Sequence, residues 1–521
     1  SNGAVGWIKN VAISYCLRRL LARSAQVRSA AVSFILAALT AALLTPIVRD
    51  WARRRGALDH VLSARKVHGR AVPRLGGIGI ALAFYMPLFG LAFVSSEVGR
   101  LLWEARELTM ALLLGSFSIA ALGVYDDLNG SRASTKFGVQ FLIAGFTYWA
   151  GYRIDCIVNP FGPELQLGWL GLPFTMLWIA GLTNAMNLID GLDGLAGGVA
   201  LIGVGTIFAI SAINGDPIML LFTAALAGAV LGFLIYNFNP ATIFMGDSGS
   251  MFLGYVLATT AIRTNQKSST AVAIVVPIVA LGVPIADTLL AMGRRALRGA
   301  PLFSADRGHI HHRLMDLGLT HRQTVLMIYG GALVLGSGAV LLRFSNRVQS
   351  ALLLICEALL VILALRMLGY ADLSKAQATL LERRRNLEMR AAVRRIGELM
   401  RTVRTPEELW GALREAAKPL GASAVSLYLG RMAAREGSGP WSCGFDAADT
   451  QPAMLRVRYG LLVERPGDDH IELGWSDGRT QVDRGTEIAI ELLCDHMVVA
   501  LERIERTWGR RDSAKVIALR R

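Results

Sequence analysis

Charge is scarce in this 521-residue chain. Asp, Glu, Lys and Arg make up 18% of it, where soluble domains carry about 25%. With 53% hydrophobic residues and a mean hydropathy of +0.45, that shortage excludes a single water-soluble globule. Cysteine is sparse too. Cys16, Cys156, Cys356, Cys443 and Cys494 form no CxxC pair and no metal spacing, so they read as reduced structural thiols, not a disulfide framework. Internal repeats and low-complexity tracts are absent, which leaves no sign of a repeat array. Acidic residues run short in one part only. Residues 1–370 hold 29 basic and 17 acidic side chains, against 25 and 22 in residues 371–521, so +12 of the +15 net charge lies in the first part. A nucleic-acid binder would gather its surplus on a polar domain. Here the surplus sits between apolar segments, the habit of a membrane protein with basic cytoplasmic loops.

What is present is a series of apolar runs. A membrane-spanning helix needs about 20 such residues. The runs predict eleven spans, near residues 30–48, 76–95, 108–125, 137–152, 171–185, 195–213, 217–236, 250–263, 271–290, 324–343 and 349–369. An odd number puts the two ends on opposite sides. One set of loops (49–75, 126–136, 184–194, 237–249 and 291–323) carries 16 Lys and Arg, and the alternate set seven. The first set is therefore expected in the cytoplasm, along with the tail. The basic stretch 9–28, with Lys9, Arg18, Arg19, Arg23 and Arg28, runs against an external N-terminus. It either lies along the membrane surface or shifts the number of spans by one.

The expected organisation is a basic amphipathic segment (1–29), a polytopic α-helical membrane domain (30–370), a charged linker helix (371–400) and a cytoplasmic α+β domain (401–521). In the last, strand-like runs at Ala424–Leu429, Leu455–Glu464 and His470–Trp475 precede a closing helix near Thr486–Trp508, a pattern of ordinary domain size.

The chemical signal is positional. Acidic residues are expensive in a bilayer and usually functional there, and here the polar groups fall at span ends on one face. Asp126 and Asp127 follow the third span. Asn184, Asn187, Asp190 and Asp193 follow the fifth, Asp247 the seventh, and His309, His311 and His312 the ninth. Carboxylates that hold a hard divalent cation are the usual way to bind Mg²⁺ beside a pyrophosphate. Basic and imidazole groups then neutralise phosphoryl oxygens, and the glycines of PRLGG and DGLDGLAGG allow backbone to approach a ligand closely. Blander readings exist for each group alone. Asp126-Asp127 could be a hydrated loop, HIHH a metal tract, and Asp287 a carboxylate paired with a polar neighbour. NAMNLIDGLDG lacks calcium-loop spacing, and GDSG, flanked by spans, has no His and Asp partners for a protease triad.

The segments VYDDLNGSRASTKFGVQ, NAMNLIDGLDGLAGG, NFNPATIFMGDSGSMFLG and DRGHIHHRLMDLGLTHRQTV together resemble the polyprenyl-phosphate N-acetylhexosamine-1-phosphate transferases, integral membrane enzymes, over about residues 45–345. The resemblance implies that a lipid phosphate attacks the β-phosphorus of a UDP-N-acetylhexosamine, yielding a lipid-diphosphate sugar and UMP. It implies Mg²⁺, with Mn²⁺ as an alternative, held mainly by Asp247 with help from Asp127. Asp126 and Asp127 would handle the carrier phosphate, Asp126 being the candidate base. Asn184, Asn187, Asp190 and Asp193 would hold the nucleotide and shape the site, and Phe244 would stack on uracil. Lys136, His309, His311 and His312 would contact phosphates or sugar, and Lys66, His68 and Arg74 match the family's first basic loop. The HIHH form resembles bacterial enzymes that start O-antigen, enterobacterial common antigen or teichoic acid synthesis with N-acetylglucosamine on undecaprenyl phosphate. The murein-precursor branch typically has three consecutive histidines where this chain has Ile310. The implied setting is the bacterial inner membrane, with a cytoplasmic active site and a homodimer. The helices that frame the tail resemble the start and end of a GAF domain, with a docking or dimerisation module as the plainer reading. A transporter and a membrane sensor are the competing classes. The first should place its polar groups near mid-bilayer, and the second leaves the four motifs unexplained.

Overall fold

The computed structural model describes residues 2–59, 72–94, 96–157, 165–266, 275–298, 308–370, 373–429, 441–444, 455–461 and 469–518. Its helices are α1 (Asn2–Arg54), α2 (Gly76–Val94), α3 (Ser96–Glu104), α4 (Arg106–Asn129), α5 (Ala133–Trp149), α6 (Gly171–Ile189), α7 (Leu195–Asn214), α8 (Pro217–Asn237), α9 (Gly246–Gln266), α10 (Val275–Ala280), α11 (Gly282–Arg298), α12 (Ile310–Asp316), α13 (His321–Leu342), α14 (Arg347–Met367), α15 (Leu373–Met400), α16 (Pro406–Ala417) and α17 (Arg484–Ala518). Two short antiparallel pairs, β1 (Leu58–Asp59) with β2 (Val72–Pro73) and β3 (Cys156–Ile157) with β4 (Leu165–Gln166), tie loops of the helical part. The chain divides into two compact units at Asp372, with Leu297–Gly299 grouped with the second.

Eight described helices are long and apolar enough to cross a membrane: Gln26–Arg54 within α1, and α2, α4, α6 (with the turn before it), α7, α8, α13 and α14. The other three expected spans fall on helices of a different character. α5 has only 17 residues. The run at 271–290 is broken at Leu281, just before Gly282 and Pro284, into α10 and α11. α9 has 21 residues but too many polar ones, for a reason that its packing supplies. The basic stretch 9–28 is part of α1 and runs helically into the first span.

α9 is the hub of the first unit. Tyr255, Val256, Leu257 and Ala258 are all fully buried, so the helix faces protein and need not be apolar throughout. Its mid-helix threonines are satisfied within the helix: Thr259 Oγ1 donates to the Tyr255 carbonyl at 2.9 Å and Thr260 Oγ1 to that of Val256 at 2.6 Å. Neighbours reach α9 through glycine. A Cβ on Gly77 of α2 would stand 2.1 Å from the Gly249 amide nitrogen, and one on Gly123 of α4 would stand 2.4 Å from the Ser248 Cα. α1 and α8 use the same device. Gly228 and Gly232 lie against Ala37 and Ala41, close enough that a Cβ would meet the Phe34 and Ala38 carbonyls at 2.2 and 2.3 Å. In lipid, where apolar burial gains little, such small-residue contacts supply the packing energy. Exposed Phe93 of α2, Trp103 of α3, Trp149 of α5 and Trp169 in the turn before α6 sit remote from the span ends that carry the acidic residues, where amphipathic rings suit a membrane–water boundary.

The second unit is α+β, as expected from its sequence. Its antiparallel sheet has the order β6 (Trp441–Gly444), β5 (Ala424–Leu429), β8 (Asp469–Trp475), β7 (Leu455–Gly460). Val425 pairs with Leu473 and Leu427 with Ile471, and all four point into a core that includes Leu409, Leu413, Trp475, Leu493 and Met497. Thr405 caps α16, its side chain accepting from the Glu408 amide. The strand-like runs correspond to β5, β7 and β8, whereas β6 was not expected.

The glycine contacts yield a direct expectation. Gly77→Ala forces backbone against backbone and should destabilise the protein by about 1–3 kcal/mol, read as a lower thermal midpoint in detergent. Gly90→Ala, whose Cβ meets nothing within 4 Å, should leave the midpoint unchanged.

Candidate active site

The site is assembled where α4 and α6 end and α9 begins. Asp127, at the end of α4, turns its carboxylate to the start of α9. Oδ1 accepts from the Asp247 amide at 2.9 Å and Oδ2 from the Ser248 amide at 3.0 Å. A carboxylate there satisfies two otherwise orphaned N–H groups and complements the helix dipole. The approach explains Gly246 of the MGDSG segment. Its φ is +72°, and a Cβ would stand 2.5 Å from Asp127 Oδ2.

Asp126 points elsewhere. Its Oδ2 and the Oδ2 of Asp247 both accept from Lys136 Nζ at 2.8 Å, and Ser131 Oγ donates to its other oxygen. Asn187 donates from Nδ2 to Asp247 Oδ1 at 2.9 Å and to Ser250 Oγ at 3.0 Å. Three groups that are distant in sequence therefore share one half-buried hydrogen-bond network. Asp190 sits just past α6 beside them. Burial, with the charges of Asp247, Asp127 and Asp193 added, pushes its carboxyl up to about 8. The charge of Arg74 reaches Asp127.

Not every expected residue faces that network. Asn184 donates to Gln140 Oε1 and to the Ala180 carbonyl. Asp193, 4% exposed, accepts on Oδ2 from Asn239 Nδ2 and the Ala241 amide, each at 3.0 Å, and so anchors the loop that leads to Asp247. Phe244 is half-buried, its backbone bridging Pro73 and Gly76. Lys66 and His68 lie outside the described residues.

The histidines meet the site through a glycine. His311 is 3% exposed and presses on Gly191, where a Cβ would stand 2.7 Å from its Nε2. Burial, assisted by the charge of His312, pushes its pKa down to about 3, so the ring is a neutral hydrogen-bonding group. Its Nδ1 has no hydrogen-bond partner among the described residues. His309 stacks on it at 5.8 Å and contacts Asp287 Oδ2 through Nδ1 at 2.7 Å, which gives Asp287 the polar neighbour that its position in α11 called for. Ile310 donates its amide to the same carboxylate and packs its side chain on the apolar core.

Sequence reasoning missed several members. Ser131, Gln140, Asn239 and Asn237, which accepts from the Gly194 amide and donates to the Ile243 carbonyl, are ordinary polar residues that become informative only once their partners are placed. Tyr329 was likewise hidden in an apolar run. Its hydroxyl donates to the Gly194 carbonyl, and its ring lies so close to Gly198 that a Cβ there would stand 1.9 Å away.

Among the described residues no trio of His, Cys, Asp or Glu is gathered tightly enough to enclose a metal ion. The donors still suit one kind of cation. Asp126 and Asp247 offer oxygen atoms only, already converge on a positive charge, and stand beside Asp190. Mg²⁺ is commonly held by one or two carboxylates, with water and phosphate completing its shell.

An assembly of carboxylates, amides and one lysine at one end of the apolar helices suits group transfer at a membrane. The chain belongs to glycosyl transferase family 4, whose family model matches residues 109–265, a stretch that holds every carboxylate of the network but not the histidines. It is 41% identical over 313 residues to a probable undecaprenyl-phosphate N-acetylglucosaminyl 1-phosphate transferase of Bacillus subtilis (strain 168), covering 60% of this chain and 84% of that protein. It is 36% identical over 342 residues to the decaprenyl-phosphate N-acetylglucosaminephosphotransferase of Mycobacterium tuberculosis (strain ATCC 25618 / H37Rv), covering 60% and 83%. A phospho-N-acetylmuramoyl-pentapeptide-transferase of Synechococcus sp. (strain JA-3-3Ab) is 31% identical over 330 residues, covering 59% and 89%.

The cap on α9 is open to test. Asp127→Ala removes two charge-assisted hydrogen bonds and should lower stability by about 2–3 kcal/mol, whereas Asp127→Asn, which retains one acceptor, should lose less. Equal midpoints for wild type and the alanine variant in thermal unfolding would count against the role given to this carboxylate.

Proposed function

We propose that the protein transfers N-acetylhexosamine-1-phosphate, with N-acetylglucosamine as the sugar, from a UDP-sugar to undecaprenyl phosphate as the first membrane step of a cell-surface polysaccharide. The observation that carries this reading is the meeting of Asp126 and Asp247 on a single Lys136 ammonium beside Asp190. Carboxylates converge there where a diphosphate and its counter-cation would sit. In the reaction an oxygen of the lipid phosphate bonds to the β-phosphorus of the donor, the bond from that phosphorus to the bridging oxygen breaks, and UMP departs with the electron pair.

The residues divide the work. Asp247 would hold Mg²⁺ or Mn²⁺, which when bound offsets the charge of the diphosphate. The sequence pattern gives it Asp127 as helper, but both oxygens of Asp127 accept backbone amides of α9, so an oxygen of Asp126 takes that part. Asp127 acts by holding the backbone of Asp247 in place. Asp126 takes any proton left on the carrier phosphate, and Lys136 turns from the carboxylates to phosphoryl oxygens as these arrive. Asn187 fixes the other oxygen of Asp247. His311, neutral and with Nδ1 unpaired, offers a hydrogen bond to the donor without adding charge. Phe244 supplies an aromatic face for the base, with Asn184 and Asp193 shaping the site behind it. The packing of Ile310 on the core supports the N-acetylglucosamine reading over a muramyl-pentapeptide donor, because an imidazole at that position would have to replace apolar packing.

The polar network lies at one end of the helices rather than at mid-bilayer, which favours transfer over transport. The same reading places that end and the α+β unit in the cytoplasm at the bacterial inner membrane, takes the enzyme as a homodimer, and gives the GAF-like tail a part in tuning activity or assembly.

Purified protein incubated with UDP-N-acetylglucosamine, undecaprenyl phosphate and Mg²⁺ should release UMP. Release of UDP would mean sugar transfer without phosphate, and release of neither would favour transport or sensing. Asp247→Ala should lower turnover at least about a thousandfold while the protein still inserts, and near-normal turnover would remove Asp247 from the cation site. Chelation by EDTA should abolish UMP release and added Mg²⁺ restore it.

A further inference from the structure

The network around Asp247 is repeated one turn deeper by uncharged groups on the same three helices. Lys136 of α5, Asp247 of α9 and Asn187 of α6 form the upper tier. Gln140, Met251 and Asn184 stand one turn further into those helices, four, four and three residues away, so each shares a helix face with its counterpart. They are joined in the same way. Asn184 Nδ2 donates to Gln140 Oε1, and Gln140 Nε2 donates to Met251 Sδ at 3.2 Å. Gln140 is 1% exposed and Met251 is fully buried. Near the far end of α5, the hydroxyl of Thr147 lies 2.8 Å from that of Tyr255 on α9.

A buried amide is a poor choice if its task is only to hold helices together. The N–H group of Gln140 meets a thioether, which is a weak acceptor. A leucine or methionine at that position would fill the space without desolvating polar atoms. What the amide supplies is register. Apolar packing against lipid-like surfaces does little to stop one helix sliding on another, and a slip of one residue along α5 would move Lys136 by about 1.5 Å. That is enough to take an ammonium out of reach of two carboxylates. With the far end of α5 fixed at Thr147, Gln140 is the uncharged contact that holds the end near the site. We infer that Gln140 is a positioning residue of the transfer reaction: through Asn184 and Met251 it sets the height at which Lys136 and Asn187 meet Asp247. The inference rests on the transferase reading for the reaction that these groups serve.

The full-length protein in detergent tests it. Gln140→Met, close to glutamine in length and volume, should lower kcat about ten- to a hundredfold, the scale of an ångström-sized misplacement. The KM values for UDP-N-acetylglucosamine and undecaprenyl phosphate should stay within about twofold, as for an interaction made only in the transition state. Gln140→Asn and Asn184→Gln each alter the reach of the pair and should also lower kcat. Both changes together restore the summed length and should bring kcat back to within about threefold of wild type, a coupling that independent sites would not show. A merely structural role would lower the thermal midpoint of Gln140→Met and leave kcat, measured well below it, at the wild-type level, which would overturn the inference. A parallel rise in either KM would overturn it too, by placing the damage in a substrate pocket. Should Gln140→Met not fold, the exchange decides: recovery supports the assignment, and a kcat no higher than in the weaker single variant removes it. Wild-type protein that releases no UMP would sink the transferase reading and this inference together, whereas active wild type with an equally active Gln140→Met sinks the inference alone.

Discussion

The site depends on one carboxylate that holds two backbone amides at once. Asp127 binds the first amides of α9, and the residue that follows Gly246 there is Asp247. Where α9 starts, and the direction in which Asp247 points, are therefore set from α4 rather than from α9 itself. The glycine contacts carry the same constraint deeper. With Gly77 against Gly249 and Gly123 against Ser248, α2 and α4 grip the first turn of α9 at backbone distance. Lys136 and Asn187 can then be short of freedom, because the carboxylate they serve is already fixed.

Much of this was legible in the residues. Polar groups at successive span ends, all on one face, were expected to converge, and Asp126, Asn187, Asp247 and Lys136 share one network. The alternating runs of the tail gave three of its four described strands. What could not be read was the partner of each group. Asp127 and Asp247 are 120 residues apart and Asn184 and Gln140 are 44 apart, so their pairing is decided by helix packing, which a linear pattern does not contain. Asp193 looked like its neighbour Asp190 in sequence, yet one anchors a loop and the other faces three carboxylates. Their difference lies in their partners, Asp193 being held by Asn239 and the Ala241 amide, and in the turn at Gly194, whose φ is +77°.

Helix counting was limited by the same physics. A hydropathy run reports contact with lipid, and α9 has almost none. Wrapped by α2, α4, α6 and α7, it keeps polar residues such as Ser250, Thr259 and Thr260, whose hydroxyls bond back to its own carbonyls, and so it falls below the apolarity of a lipid-facing span. The break between α10 and α11 is a local effect of Gly282 and Pro284 that the surrounding apolar residues conceal. In both cases the composition is right for the interior of a helical membrane unit and misleading only as a measure of length in lipid.

Lys136 gives the site a property of its own. A side chain tethered within reach of two carboxylates is a counter-ion that cannot diffuse away, present at an effective concentration on the order of millimolar or above. Any free cation must win the carboxylates by exchange with that ammonium, so a weakly bound monovalent ion gains nothing by entering. A ligand that brings its own anionic groups changes the balance, because it gives the displaced ammonium somewhere to go. Small-molecule blockers of this centre should therefore be judged by how they rehouse the lysine as much as by how they fill the space.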